Sequence, residues 1–354
     1  MSVNSNALER RLKKRASLTD TNLLLIITII VFIVMYLCAV VFLKKGFTKP
    51  QMFFNILNEN ASLLVLSCGM TLVMITGGID ISVGQVTCLV CMACAVHLQK
   101  VNDGVINGSV FTSLLIAIAI GLAFGIVQGF LVAYMEFQPF IVTLAGLFFA
   151  KGMTTIVCSD RVPVTYEPFV KLARTEVTIP FLGSVNKKGI YIPAYVEIGV
   201  IVAIVVVILL FCLLKWTKLG RNFYAVGGNN QSANMLGINV KLTKFLAHVL
   251  CGLCAGIGGY LFFLHACSGS PLHAQGAEMN AIASSIIGGT LLSGGVGNIV
   301  GTLFGVLSLS TIKNIVTSLG LEDPWWTNIT VAAMLCLFLL IQSIILARKN
   351  KNKK

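Results

Sequence analysis

A succession of apolar runs, each about long enough to cross a bilayer, limits what this chain can fold into more than any single motif does. The runs fall at roughly 22–43, 60–77, 83–99, 110–135, 139–157, 195–216, 244–266, 299–317 and 326–346. A helix needs about 20 apolar residues to traverse the hydrocarbon core. Within lipid only helices and closed barrels satisfy their own backbone groups. A shorter, glycine-interrupted piece covers roughly 279–293, and counting it gives ten segments, an even number that returns the chain to its starting side. Composition agrees: 11% of the 354 residues are charged, against about 25% in soluble domains, and the mean hydropathy is +0.90. No polar linker of domain size divides the chain. The expectation is an all-α polytopic membrane protein of about ten transmembrane helices, with one membrane domain at 22–346 and basic tails at 1–21 and 347–354.

The net charge of +13 raises nucleic acid as a partner, but its distribution argues against one. Arg10, Arg11, Lys13, Lys14 and Arg15 precede the first run, and Arg348, Lys349, Lys351, Lys353 and Lys354 follow the last. Such clusters hold both ends in the cytoplasm, beside anionic lipid. The loop at about 217–243 is then cytoplasmic, in keeping with Lys215, Lys218, Arg221, Lys241 and Lys244, and the loop at about 158–194 is external. Lys44, Lys45 and Lys49, and the positive excess at 158–194 that includes Lys187 and Lys188, run against the rule; longer external segments tolerate such charge. The first run is too long for a signal-peptide core and lacks an A-x-A-like cleavage site, so it is expected to remain as an anchor.

Several chemistries have no residues to carry them. The eleven cysteines include Cys88, Cys91 and Cys94, and the pair Cys251 and Cys254, all inside apolar segments without His or acid to complete a metal site; they read as small packing residues. No H-E-x-x-H or G-x-S-x-G occurs. Neither does G-x-x-x-x-G-K-[ST], so no P-loop for ATP is present. Lys151 and Lys313 lie within runs, where a charge faces the protein interior or snorkels to an interface.

Three stretches interrupt the apolar pattern. In "TGGIDISVGQ" (Thr76–Gln85), Gly77 and Gly78 are suited to end one helix, and Asp80 and Ser82 to cap the next. A break at membrane depth requires that protein or water satisfy the freed backbone. Asp80 therefore either shapes a polar route or simply caps a tight turn. The second stretch, "TKLGRNFYAVGGNNQSANMLGINVKLTK" (Thr217–Lys244), is basic at both ends, and its "NNQSANMLG" (Asn229–Gly237) reads as a short capped helix closed by Gly237. The reading is a docking element, with a plain connector as the alternative. The third, "GAEMNAIASSIIGGTLLSGGVGNIVGTLFG" (Gly276–Gly305), places Glu278 at a helix start and glycines where backbones approach closely. It echoes the first in design, and interrupted helices in corresponding places point to a pathway.

Taken together the three stretches resemble those of the permease subunits of bacterial ABC importers for monosaccharides. The family's "GGIDLSVG" appears as "GGIDISVG" (Gly77–Gly84), its cytoplasmic loop as "GRNFYAVGGNNQSANMLGI" (Gly220–Ile238), and its glycine-rich segment as "EMNAIASSIIGGTLLSGGVGNIVG" (Glu278–Gly301). The resemblance covers about 52–346. Asn280 stands where the family carries Asp. "PFIVTLAGLFFAKG" (Pro139–Gly152), "GGTLLSGGVGNIVGTLFGV" (Gly288–Val306) and "WWT" (Trp325–Thr327) resemble the galactofuranose importer's permease more closely than the ribose one.

The resemblance implies a ten-helix fold like that of vitamin B12-type importers and no catalysis on this chain. ATP and magnesium would sit on a partner ATPase with two nucleotide-binding domains. A periplasmic or lipid-anchored binding protein would deliver the sugar, and a second permease chain, identical or related, would complete the pathway in the bacterial plasma membrane. Thr76, Gly77, Gly78, Asp80, Ser82, Gln85, Gly288, Gly289, Gly294 and Gly295 are the candidate pathway residues. Gly220, Arg221, Gly227, Gly228, Asn229, Ala233, Asn234 and Gly237 are the candidate ATPase-coupling residues. An ion-coupled secondary transporter is the alternative; only Asp80 and Glu136 come near the carboxylate role it needs.

Overall fold

The computed structural model describes residues 25–43, 46–185, 191–321 and 323–351. The basic residues at 10–15, Lys44, Lys45, Lys187, Lys188, Lys353 and Lys354, and the side chains of Arg348, Lys349 and Lys351, lie outside what is described.

Helix α1 (Leu25–Leu43) precedes α2 (Pro50–Ile75), α3 (Val83–Asn102), α4 (Val110–Ala133) and α5 (Pro139–Val157). A short strand β1 (Val162–Pro163), helix α6 (Glu167–Ala173) and the hairpin β2 (Glu176–Val185)–β3 (Tyr191–Glu197) follow. Next come α7 (Ile198–Trp216), α8 (Lys218–Gly228), α9 (Asn230–Met235), α10 (Val240–Ala266), β4 (Ser268–Gly269), α11 (Ala277–Ile287), α12 (Ile299–Ser318) and α13 (Pro324–Lys351). Among the described residues eight helices are long and apolar enough to cross a membrane: α1–α5, α7, α10 and α12. The apolar part of α13 described, Trp325–Leu340, is shorter, and α11 with 11 residues is only about 16 Å long. It enters the bundle without crossing it.

Hydropathy sorts the helices by neighbourhood. The most apolar, α1 and α7, each reach 3.2 and are only 17% and 33% buried by protein; α2 and α3 reach 1.4 and 1.2 and are 78% and 72% buried. Lipid rewards an unbroken apolar surface, whereas a helix wrapped by others can carry small and polar groups that pair inside the protein. Helices α4 and α10 show how closely such surfaces approach. Gly252 and Gly256 face Gly121, and a Cβ on Gly125 would lie 2.8 Å from the His248 carbonyl. Backbone packs on backbone, as the small-residue spacing requires.

Two regions differ from expectation. Helix α2 starts ten residues before the apolar run, at Pro50, because its polar first turns find partners. Gln51 Oε1 accepts from the Tyr195 amide at 2.9 Å, Asn58 Oδ1 accepts from the Glu197 amide at 3.0 Å, and Asn60 donates to the Ile56 carbonyl at 2.8 Å. The segment at 158–194 is not an open loop. It carries β1, paired antiparallel with β4 (Val162 opposite Gly269), and the β2–β3 hairpin with an irregularity between Ile179 and Gly183.

Candidate functional site

The end of α2 is set by its glycines. The Gly77 amide bonds to the Met74 carbonyl at 2.9 Å, and the Gly78 amide to the Val73 carbonyl at 3.1 Å. Gly77 has φ +84°, a conformation that a side chain would strain. Asp80 then turns the chain: its Oδ1 accepts from the Ser82 amide at 3.0 Å and the Ser82 hydroxyl at 2.6 Å. Ser82, not Asp80, occupies the cap position of α3. From α4, Gln128 donates to Ser82 Oγ at 3.0 Å. Its amide passes where a Cβ on Gly146 of α5 would stand. The Thr143 hydroxyl donates to the Ile79 carbonyl at 3.3 Å. Thr76, Asp80, Ser82 and Gln85 are 4%, 2%, 1% and 7% exposed. Protein groups therefore satisfy this break, and of the residues at 76–85 Gly77 alone is exposed.

The glycines after α11 form a second tight turn. Gly288 packs on Gly301 of α12, while Gly289, Gly294 and Gly295 have φ of +90°, +83° and +75°. The Leu291 amide bonds to the Val296 carbonyl at 3.1 Å, and the Gly294 amide to the Leu291 carbonyl at 3.1 Å. Deeper, the Thr71 hydroxyl meets Thr302 Oγ1 at 2.7 Å and Ser285 Oγ at 3.0 Å, tying α2, α11 and α12 together.

The third stretch meets the other two. Gly220 sits directly beneath the Leu213 and Leu214 carbonyls, which lets α8 fold back sharply from α7. Thr217 caps α8 by accepting from the Gly220 amide at 3.2 Å. Helix α8, not anticipated by the sequence reading, buries Phe223 and Val226 and leaves Arg221 exposed. At its end Gly227 lies against the Ile75 carbonyl, and that carbonyl accepts from the Gly295 amide at 2.8 Å. A Cβ on Gly294 would lie 2.9 Å from the Gly227 carbonyl and 3.0 Å from the Gly77 amide. One on Gly295 would lie 2.8 Å from Gly228 Cα, whereas one on Gly228 would meet nothing within 4 Å. Tyr224 donates to the Gly297 carbonyl at 2.9 Å; burial pushes its phenol up to about 12, so it remains a donor at neutral pH. Three motifs separated along the chain thus converge in one junction of bare backbone.

Helix α9 projects from this junction. Asn229 caps it, its Oδ1 accepting from the Ser232 amide at 2.9 Å. Gly237 closes it with φ +79° and an amide bond to the Asn234 carbonyl at 2.9 Å. Ala233 is its buried residue, Asn234 is exposed, and Met235 and Leu236 stand 87% and 80% exposed at its tip. A cleft of about 810 Å³ separates α9 from the α4–α5 turn, lined by Glu136, Gln138, Asn234 and Lys244 among others. Glu136 pairs with Lys241 at 2.8 Å; that bond holds its carboxyl below the usual value. Glu136 is thus an exposed ion-pair partner. Lys151 is exposed on α5, and Lys313 is half-buried on α12. Among the described residues no group of three or more His, Cys, Asp or Glu is placed to hold a metal. The partner that the sequence reading missed is Gln128; its signal was a lone amide inside "FGIVQGFLV".

Residues 52–339 match the model of the family described as branched-chain amino acid transport system / permease component. The chain belongs to this family. It is 36% identical over 322 residues to the inner membrane ABC transporter permease protein YjfF of Escherichia coli K12, covering 91% of this chain and 92% of that one. It is 32% identical to the ribose import permease protein RbsC of E. coli K12 (85% and 88% covered) and 30% identical to the fructose import permease protein FruG of Bifidobacterium longum (82% of each). No solved structure matches. A permease component with these helices is a multi-pass membrane transport subunit rather than an enzyme.

Proposed function

We propose that this chain is the membrane-spanning permease of a bacterial ABC importer for a monosaccharide, and that the monosaccharide is galactofuranose. Both termini face the cytoplasm, as do α8 and α9. A separate ATPase with two nucleotide-binding domains docks on α9 and binds ATP and magnesium in those domains. A second permease chain completes the pathway, and a periplasmic or lipid-anchored protein supplies the sugar. The relatives whose names include ribose and fructose import support the substrate class. The stretches at Pro139–Gly152 and Gly288–Val306, which resemble the galactofuranose importer's permease, support the choice of sugar.

The observation that carries this reading is the junction between α8 and the two membrane turns. A helix with two exposed apolar residues at its tip needs a partner, and α9 has Met235 and Leu236 there. The end of α8, from which α9 projects, lies through Gly227 on the Ile75 carbonyl and beside Gly294 and Gly295. A partner that shifts α9 must therefore shift the ends of α2 and α11 as well, which is how force from ATP binding enters the bundle. The test is coexpression with the ATPase and binding protein, copurification, and ATP-dependent uptake into liposomes of radiolabelled galactose (supplying its furanose form), ribose and fructose. Met235→Ser with Leu236→Ser is expected to abolish copurification of the ATPase while the permease still inserts. Retained copurification by that double variant would count against α9 as the docking element.

A further inference from the structure

The cleft of about 810 Å³ beside α9 has two walls from different parts of the chain. One is the turn from α4 to α5, with Glu136, Phe137 and Pro139; the other is α9 and the start of α10, with Asn230, Asn234 and Lys244. The first wall is preformed. The Tyr134 amide bonds to the Phe130 carbonyl at 3.0 Å, and the Phe137 amide to the Leu131 carbonyl at 3.3 Å. Glu136 takes φ +60°, a conformation that costs a residue with a side chain, and Lys241 of α10 holds its carboxylate at 2.8 Å.

The surface of this cleft is that of an interface. Met135 and Phe137 are 55% and 54% exposed on the turn, and the bare Met235 and Leu236 stand on α9 opposite. Exposed apolar side chains gathered around one polar cleft mark a protein-binding surface. The charge inside is unbalanced. Lys241 is matched by Glu136. Lys244, half-buried, has only a neutral acceptor: Asn230 donates to the Val226 carbonyl at 2.9 Å and accepts from the Lys244 ammonium at 3.3 Å. Among the described residues no carboxylate forms an ion pair with Lys244. The cleft therefore suits a segment that brings a carboxylate.

The back of the turn touches the break between α2 and α3. Pro139 begins α5, and a Cβ on Gly78 would lie 3.6 Å from the Pro139 Cβ. One turn further along α5, the Thr143 hydroxyl reaches the Ile79 carbonyl at 3.3 Å. From the other side Gly227, at the end of α8, lies on the Ile75 carbonyl. A segment seated between α9 and the turn thus bears on both ends of the break at 75–79.

We propose that the α4–α5 turn is the second half of the ATPase socket: the ATPase seats a segment in the cleft, with an apolar side chain on Phe137 and a carboxylate on Lys244. This deepens the importer reading and rests on it for the identity of the partner. The ATPase then grips two cytoplasmic elements, and both lead to the same break.

The test has two arms. In cells carrying the transporter with its ATPase and second permease chain separately tagged, a photoreactive benzophenone residue is placed at 235, at 137 or at 181. Phe181 is 94% exposed on the β2–β3 hairpin, at the opposite end of α7, and serves as the control. Positions 235 and 137 are both expected to cross-link to the ATPase, and 181 is not. Cross-linking at 235 without 137 would overturn the proposal and leave docking on α9 intact, with lipid or water in the cleft. Cross-linking of 137 to the second permease chain would overturn it too. Failure at both positions would overturn the docking reading itself. The second arm measures ATPase affinity for the permease in lipid nanodiscs. Phe137→Ser is expected to weaken it about tenfold, the loss of one partly buried aromatic contact, with the unfolding midpoint of the permease unchanged. Lys244→Gln is expected to weaken it at low salt and to flatten its salt dependence. Wild-type affinity in Phe137→Ser would overturn the apolar contact, and an unaltered salt dependence in Lys244→Gln the carboxylate.

Discussion

Replacing Gly227 by alanine is the sharpest perturbation of the backbone junction. The added methyl group would fall on the Ile75 carbonyl oxygen and 2.5 Å from the Gly295 amide nitrogen. Neither neighbour is a flexible side chain, so the backbones must separate. Overpacking of this kind costs about 1–3 kcal/mol. Separation also breaks the 2.8 Å bond from the Gly295 amide to the Ile75 carbonyl, and a buried donor left unpaired costs about 1–3 kcal/mol more. The expected loss is about 2–6 kcal/mol at the point where α2, α8 and the turn after α11 meet. Gly228→Ala is the control, since a Cβ there meets nothing within 4 Å; in a helix it gains up to about 1 kcal/mol. The assay is thermal unfolding of the detergent-solubilised protein followed by size-exclusion chromatography. Gly227→Ala should unfold at clearly lower temperature, and Gly228→Ala at the wild-type temperature or slightly above. Equal midpoints for the two variants would refute the close approach of α8 to Ile75.

Gly237→Val forces a β-branched residue into φ +79°, about 1–2 kcal/mol of strain for an ordinary residue, and should abolish sugar uptake while membrane insertion, followed by a fluorescent fusion, stays normal. Asp80→Ala removes the acceptor of both Ser82 bonds and should destabilise the solubilised protein by about 1–3 kcal/mol, read as a lower unfolding midpoint. Glu136 has its carboxyl lowered from 4.5 by its bond to Lys241, so the pair's contribution is present above 4.5 and lost as pH falls through the lower folded value. A carbon-13 titration of Glu136 should give a midpoint below 4.5, and Lys241→Ala should return it towards 4.5.

The spans were legible because lipid imposes one requirement on every residue that faces it. The peripheral helices α1 and α7 are unbroken apolar runs, and the limits of α7 were read to within a few residues. Helix α9 was legible for a local reason: Asn229 and Gly237 are the residues that start and stop a short helix. The start of α2 was hidden, since Gln51, Asn55, Asn58 and Asn60 look like a loop until β3 is present to pair with Gln51 and Asn58. The β2–β3 hairpin was hidden by its own turn-rich composition. Asp80 could be read as a turn-former, but nothing in "GGIDISVG" shows that Gln128 closes over Ser82, which is what removes the break from solvent. Likewise Gly227 reads as helix punctuation and the glycines at 294 and 295 as places of close backbone approach. Which three backbones they let touch is defined only once the chain is folded.

The central claim is that transport through this chain is driven by ATP on a partner docked at α9. Its most direct test is sugar uptake by the copurified complex in liposomes, with ATP supplied to the α9 side and an uncoupler present. The account predicts uptake that requires ATP, continues when every ion gradient is collapsed, and disappears when Met235 and Leu236 are replaced by serine. Uptake that proceeds without ATP and stops with the uncoupler would contradict it.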